Sequence, residues 1–149
     1  MAEPHELSSD ECSMLLRTGV VGRIAFTTPD GPHIIPVNYS VVDDSIIVRT
    51  AAYSVLGTYG IDAKVAFQID QVDYEYWTGW SVLARGRTEA IADADEIQRI
   101  NQAWAPHPWA AGQRNLYLAV RWTELTGRRL GPPIDPARAL PVRRQVPGP

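Results

Sequence analysis

Apolar and polar positions change period several times along this chain, and each change marks an element. From Leu7 the spacing is helical. Leu15 and Leu16 supply one apolar stripe, Ser8 and Glu11 stand at capping-box spacing before it, and Gly19 is the expected stop. Cys12 falls on the Leu16 side and reads as a small core residue. Strand patterns follow over Val20–Thr28, His33–Val42 and Ser45–Thr50, punctuated by Pro29-Asp30-Gly31 and Asp43-Asp44. A short helix over Tyr53–Tyr59 crosses to Ala63–Asp70, where Val65, Phe67 and Ile69 alternate with Lys64, Gln68 and Asp70. Trp80–Ile91 is a long strand with Arg85, Arg87 and Glu89 on one face. Asp93–Trp104 is a helix with Ile97, Ile100 and Trp104 on one side, and Leu116–Trp122 is the last strand.

Six strands joined mostly by short turns, with few and short helices, predict a mainly β fold: a six-stranded antiparallel barrel rather than a doubly wound sheet. The chain of 149 residues divides into one barrel domain over 1–130 and a Pro/Arg-rich extended tail over 131–149. From Thr126 onward five arginines stand against Asp135 alone, so that stretch carries +4 of a net charge of −3 and the rest is acidic at −7. An acidic body argues against nucleic acid as the main partner. No apolar run is long enough to span a bilayer and no signal peptide is recognisable, so neither membrane nor secretion is expected. A lone cysteine fits a reducing compartment, and the expected location is the cytoplasm.

Catalytic chemistry is sparse. There is no nucleophile elbow, phosphate-binding Walker loop or dinucleotide fingerprint. His5, His33 and His107 are far apart, and with one cysteine no metal site is expected. His107 reads as a solvent-facing loop residue, and Asp70 and Asp73 read as turn and solubility residues. The catalytic residues stay unknown, and redox chemistry would have to come from a bound cofactor.

The ordered series Gly22-Arg23-Ile24-Ala25-Phe26, Gly31-Pro32-His33-Ile34-Ile35-Pro36-Val37-Asn38-Tyr39, Ile47-Val48-Arg49-Thr50, Ala66-Phe67-Gln68-Ile69-Asp70, Gly79-Trp80-Ser81-Val82, Gly86-Arg87 and Leu125-Thr126-Gly127-Arg128 resembles a known family. It is similar to the pyridoxamine 5′-phosphate oxidase-like flavin-binding split barrels, nearest to their nitroimidazole-resistance reductase branch. The resemblance spans roughly residues 7 to 130. It implies a split barrel that forms a homodimer, with flavin mononucleotide (FMN) in two clefts between the subunits. It places the flavin ring along Pro36, Val37, Asn38 and Tyr39, and Trp80 and Ser81 near the cofactor, often from the partner subunit. Arg87 and Arg128 become candidate anion contacts.

The same resemblance makes the stretch after the third strand a phosphate cradle. Thr50 and Ser54 match its two hydroxyl positions, with Arg49 beside them. The basic position of the pattern falls at Val55 or Leu56, which carry no charge. A lost charged hydrogen bond weakens phosphate binding about ten- to a hundredfold. Strand alternation points Arg49 away from Thr50. The expected function is therefore an FMN-dependent oxidoreductase acting on a small molecule. A deazaflavin-dependent reductase, or a dimeric binding module without cofactor or catalysis, stands as the alternative.

Overall fold

A computed structural model of the chain describes residues 3–135. Its elements in chain order are β1 (Pro4–Glu6), α1 (Ser9–Leu16), β2 (Val21–Thr28), β3 (Gly31–Val42), β4 (Ser45–Thr50), α2 (Val55–Tyr59), β5 (Lys64–Asp73), β6 (Thr78–Ile91), α3 (Ala94–Trp104) and β7 (Leu116–Leu130). All strand pairings are antiparallel. The order β7-β4-β3-β2-β5-β6 closes through a β6–β7 pairing, giving the expected ring of six strands, and β1 adds a short seventh strand paired with the end of β7. Closure leaves few unpaired edges, which is why a chain of hairpins favours this arrangement.

The barrel interior holds Ile24, Phe26, Tyr39, Val41, Ile46, Val48, Val65, Phe67, Ile69, Val82, Leu118 and Val120, with Leu15 and Leu16 from α1 and Leu56 from α2. Alternation sends the next residues outward. There Val42, Ile47, Ile91, Tyr117 and Ala119 form a second apolar layer that α3 covers with Ile97 and Ile100. Cys12 is fully buried against the first layer, and burial, then the neighbouring Glu11 charge, raise its thiol pKa. That is a packing residue, as its helical position implies.

Capping chemistry matches the sequence closely. Ser8 and Glu11 form the reciprocal box that opens α1, and the Asp93 side chain caps α3. The stop of α1 differs from the expectation at Gly19. The helix ends at Leu16 with Arg17 as its cap, and the Thr18 hydroxyl donates to the Leu15 carbonyl. Glycine at 19 serves a contact instead: a Cβ there would stand 2.3 Å from the Tyr39 hydroxyl.

β7 runs eight residues beyond the expected end at Trp122. A register shift between Arg85 and Gly86 admits one extra residue, Thr123, on the β7 side, and the ladder then continues to Gly79↔Leu130. Glycine is required at 86 because a Cβ would lie 2.0 Å from the Arg121 carbonyl oxygen. β5 and β6 lengthen with it, so a flap of 70–73, 78–81 and 127–130, with β1 paired along 128–130 as its fourth strand, extends past the barrel. Of the expected tail over 131–149, residues 136–149 lie outside the described part, and Ile134 packs back against the interior layer. Among the described residues no helix is long and apolar enough to cross a membrane.

Candidate functional site

Two groups of candidate residues emerge, at opposite ends of β7. The first gathers at the exit of β4. Thr50 is buried, with its hydroxyl 2.7 Å from that of Ser54. The Ser54 hydroxyl donates to the Ala51 carbonyl (2.7 Å) and accepts the Gly57 amide (2.9 Å), making Ser54 the cap of α2. Both hydroxyls thus have partners inside the protein. Gly57 lets the helix press on this loop, since a Cβ there would stand 2.2 Å from the Ala51 carbonyl oxygen. Val55, where the cradle pattern has its basic residue, is 47% exposed, and Leu56 is buried.

Arg49 points to the other face, as alternation requires. Its Nε donates to the Arg114 carbonyl (3.1 Å), and its guanidinium stacks 5.0 Å above the Tyr117 ring. Of the β3 quartet, Val37 and Tyr39 face the interior and Pro36 and Asn38 face out. Tyr39 is a core pillar: it packs edge-on to Phe67 and donates a 2.5 Å hydrogen bond to the Leu16 carbonyl. Burial raises its phenol pKa well above the ordinary value. Asn38 lies under the 105–115 connection, where its Oδ1 accepts the Trp109 amide at 2.8 Å. Its Nδ2 is buried without a hydrogen-bond partner, and so is the Ser40 hydroxyl two residues on, along the same face. Buried donors are rarely left unpaired, so this pair is unusual.

The second group lies on the flap. Cross-strand register aligns Asp70, Ser81 and Arg128 in one row on the outer face, and Gln71, Trp80 and Arg129 in the next row on the opposite face. Trp80 packs partly against the interior layer. The outer row lines a cavity of about 480 Å³ that also receives Pro4, Tyr74 and Trp77. Asp70 is engaged by Arg23 at 3.8 Å. Arg128 is exposed and has no ionic or hydrogen-bonded partner for its guanidinium among the described residues.

Arg87 joins neither group. It lies six residues along β6 from Ser81, about 20 Å at strand rise, where it pairs with Asp62 at 2.7 Å. That contact lowers the Asp62 pKa. Thr50 pairs with Leu116 and Ser81 with Arg128, so twelve residues of β7, about 40 Å of strand, separate the two groups within one protomer. His107 is exposed, and the Asp73 carboxylate caps the β5–β6 turn by accepting the Glu75 and Tyr76 amides, in line with the expectations for both. The sequence reading missed Tyr74, Trp77 and the buried Ser40. The Asp73-Tyr74-Glu75-Tyr76-Trp77 run was the available signal for the first two, being too aromatic for an ordinary solvated turn.

Comparison with known proteins agrees with this architecture. A family model described as pyridoxamine 5′-phosphate oxidase matches residues 8–129. The uncharacterised protein Rv0080 of Mycobacterium tuberculosis is 35% identical over 130 residues, covering 84% of each chain. Among solved structures, an FAD-binding protein from Mycobacterium smegmatis superimposes with a TM-score of 0.71 at 31% identity, covering 84% of this chain and 97% of that one. A putative pyridoxamine 5′-phosphate oxidase from Corynebacterium glutamicum gives 0.73 at 27% identity, over 87% and 96%. The six-stranded ring, the ordered motifs and these likenesses agree: the chain belongs to the pyridoxamine 5′-phosphate oxidase-like split-barrel family.

Proposed function

We propose that the protein is a flavin-binding oxidoreductase that works as a homodimer. The observation that carries this reading is the Asn38 Nδ2: a buried amide donor without a partner, on the strand where the family resemblance puts the flavin ring. The rim of that ring offers carbonyl acceptors, which fit an orphaned N–H donor. A bound flavin would supply hydride or electron transfer, and the chain would bind it, orient it and exclude water. The separation of the two residue groups supports the dimer. One cleft can use both only when a second copy brings its flap to the β4 exit of the first. The outer sheet face supports such pairing, since Ile34 is 63% and Val21 40% exposed.

Within this reading the dinucleotide FAD fits better than FMN. A terminal phosphate carries close to two charges at neutral pH, whereas each phosphate of a diphosphate bridge carries one. The corner offers no cation at Val55 or Leu56, and Arg49 is occupied elsewhere. The M. smegmatis relative is named as an FAD-binding protein. A deazaflavin coenzyme with diester phosphate is favoured by the same missing cation, and reduction of a nitroimidazole-type acceptor is one activity this cleft could support.

The test is a titration of the apo-protein with FAD and FMN, read by flavin fluorescence, with sedimentation reporting the oligomer. FAD binding at micromolar or tighter affinity to a dimer, weakened about tenfold or more by Asn38→Ala, is the expected result. A protein that ignores both flavins while binding deazaflavin moves the assignment to that coenzyme. One that stays colourless with all three is no flavoprotein.

A further inference from the structure

The flap cavity carries an inference beyond the flavin itself. The described residues include ten arginines, and nine of them have an acceptor or anion in place. Arg17 and Arg99 hold the Asp43–Asp44 turn, Arg23 meets Asp70, Arg85 meets Glu124, Arg87 meets Asp62 and Arg121 meets Glu89. Arg49, Arg114 and Arg129 donate to backbone carbonyls. Arg128 alone, among the described residues, has neither. It lines a cavity of about 480 Å³ beside the Ser81 hydroxyl, which also has no partner there.

Most of the cavity's surface is apolar and its rim is aromatic; its other charged groups are engaged elsewhere, Asp70 by Arg23, Asp73 by the Glu75 and Tyr76 amides and Arg129 by the Gly131 carbonyl. Tyr74 and Trp77 stand 86% and 78% exposed at the tip of the β5–β6 hairpin. The tip is built to hold them there. The Asp73 carboxylate accepts two successive amides, and Trp77 adopts a φ of 54°, a left-handed conformation unfavourable for a bulky residue. Keeping two large rings in water beside an uncommitted guanidinium makes sense when something flat and negative covers them.

We propose that this cavity binds an aromatic ring that carries an anionic group, with Arg128 as the anion contact and Tyr74 and Trp77 as ring contacts. Two sources share that chemistry: an aromatic carboxylate acting as substrate, and the adenosine diphosphate half of a flavin dinucleotide reaching across the cleft. The proposal deepens the flavin reading, yet the cavity is complete within one protomer, so its test needs no flavin.

The experiment uses the flavin-free full chain and three probes: 2-naphthoate, its neutral counterpart 2-naphthamide, and ADP. Calorimetry gives affinity, and the Trp77 indole N–H resonance reports where binding occurs. Naphthoate or ADP binds saturably and shifts Trp77, and naphthamide binds at least tenfold more weakly than naphthoate. Arg128→Gln weakens anion binding about ten- to a hundredfold and removes the preference over naphthamide. Trp77→Ala weakens both probes, while Arg85→Gln, on a paired arginine further along the face, changes neither. Naphthoate binding with ADP silent identifies a substrate pocket, and ADP binding alone identifies a cofactor subsite. Silence from both anions, equal affinity for naphthoate and naphthamide, or indifference to Arg128→Gln overturns the proposal. A failed flavin titration leaves this result standing, and the reverse holds too.

Discussion

The two ends of β7 treat their polar groups in opposite ways. At the β4 exit, Thr50 and Ser54 are bonded to each other and to the backbone of α2, so their hydroxyls stabilise the fold before any ligand arrives. On the flap, Arg128 and Ser81 have no partner among the described residues, and the rings of Tyr74, Tyr76 and Trp77 stand in water. One end is built inward and the other is open. The contrast teaches that hydroxyl spacing alone does not mark a binding site. A polar group free of internal partners is the stronger sign, because holding it ready without a ligand gains nothing for stability.

This contrast can be broken by mutation. The largest effect is expected at Gly57, where a methyl group would collide with the Ala51 carbonyl. Gly57→Ala should lower stability by about 2–3 kcal/mol in urea unfolding, and an unchanged midpoint would show the corner to be looser than its geometry implies. Tyr39→Phe comes next, at about 1–2 kcal/mol near pH 7, because it leaves the Leu16 carbonyl without its buried donor.

Tyr39 also carries a pH signature. Burial raises its folded pKa above the unfolded value near 10, so the neutral phenol is favoured by folding. Its contribution is fully present below about pH 10 and is lost as pH rises towards the folded value. The stability gap between wild type and Tyr39→Phe should therefore narrow only above that pH, and a gap that narrows near neutrality would refute the assignment. The smallest effects belong to the flap. Arg128→Gln and Trp77→Ala should shift stability by no more than about 0.5 kcal/mol, since neither side chain is bonded or buried. A loss above about 1 kcal/mol from either would make the flap as structural as the corner and end the comparison.

Much of the fold was legible residue by residue. Val65, Phe67 and Ile69 alternate with polar neighbours and enter the core, and the Ser8–Glu11 box opens a helix. Both signals are local, and local chemistry is what a sequence displays. The end of β7 was hidden because its continuation after Trp122 is mostly polar: only Leu125 and Leu130 are apolar, and the flap is half solvated. The Arg85/Gly86 shift is a pairing event between strands some forty residues apart, which no local pattern records.

The candidate site divides in the same way. The family resemblance placed Thr50 and Ser54 at one corner, and strand alternation turned Arg49 away from it. That the two hydroxyls already have partners could not be read, because the Ala51 carbonyl and Gly57 amide are backbone groups common to every residue. Nor does the sequence distinguish Arg87 from Arg128. Each lies in a plausible motif, but Arg87 meets Asp62 across 25 residues of chain and Arg128 meets no described carboxylate. By itself the sequence determined the strand and helix periods, the helix caps and the placing of charge, and the family resemblance of its motifs nominated Thr50, Ser54, Arg87 and Arg128 as candidate anion contacts. Only the tertiary structure decided which of them remain free to bind one, because a charge or hydroxyl is committed by whatever distant group the fold brings within about 3 Å.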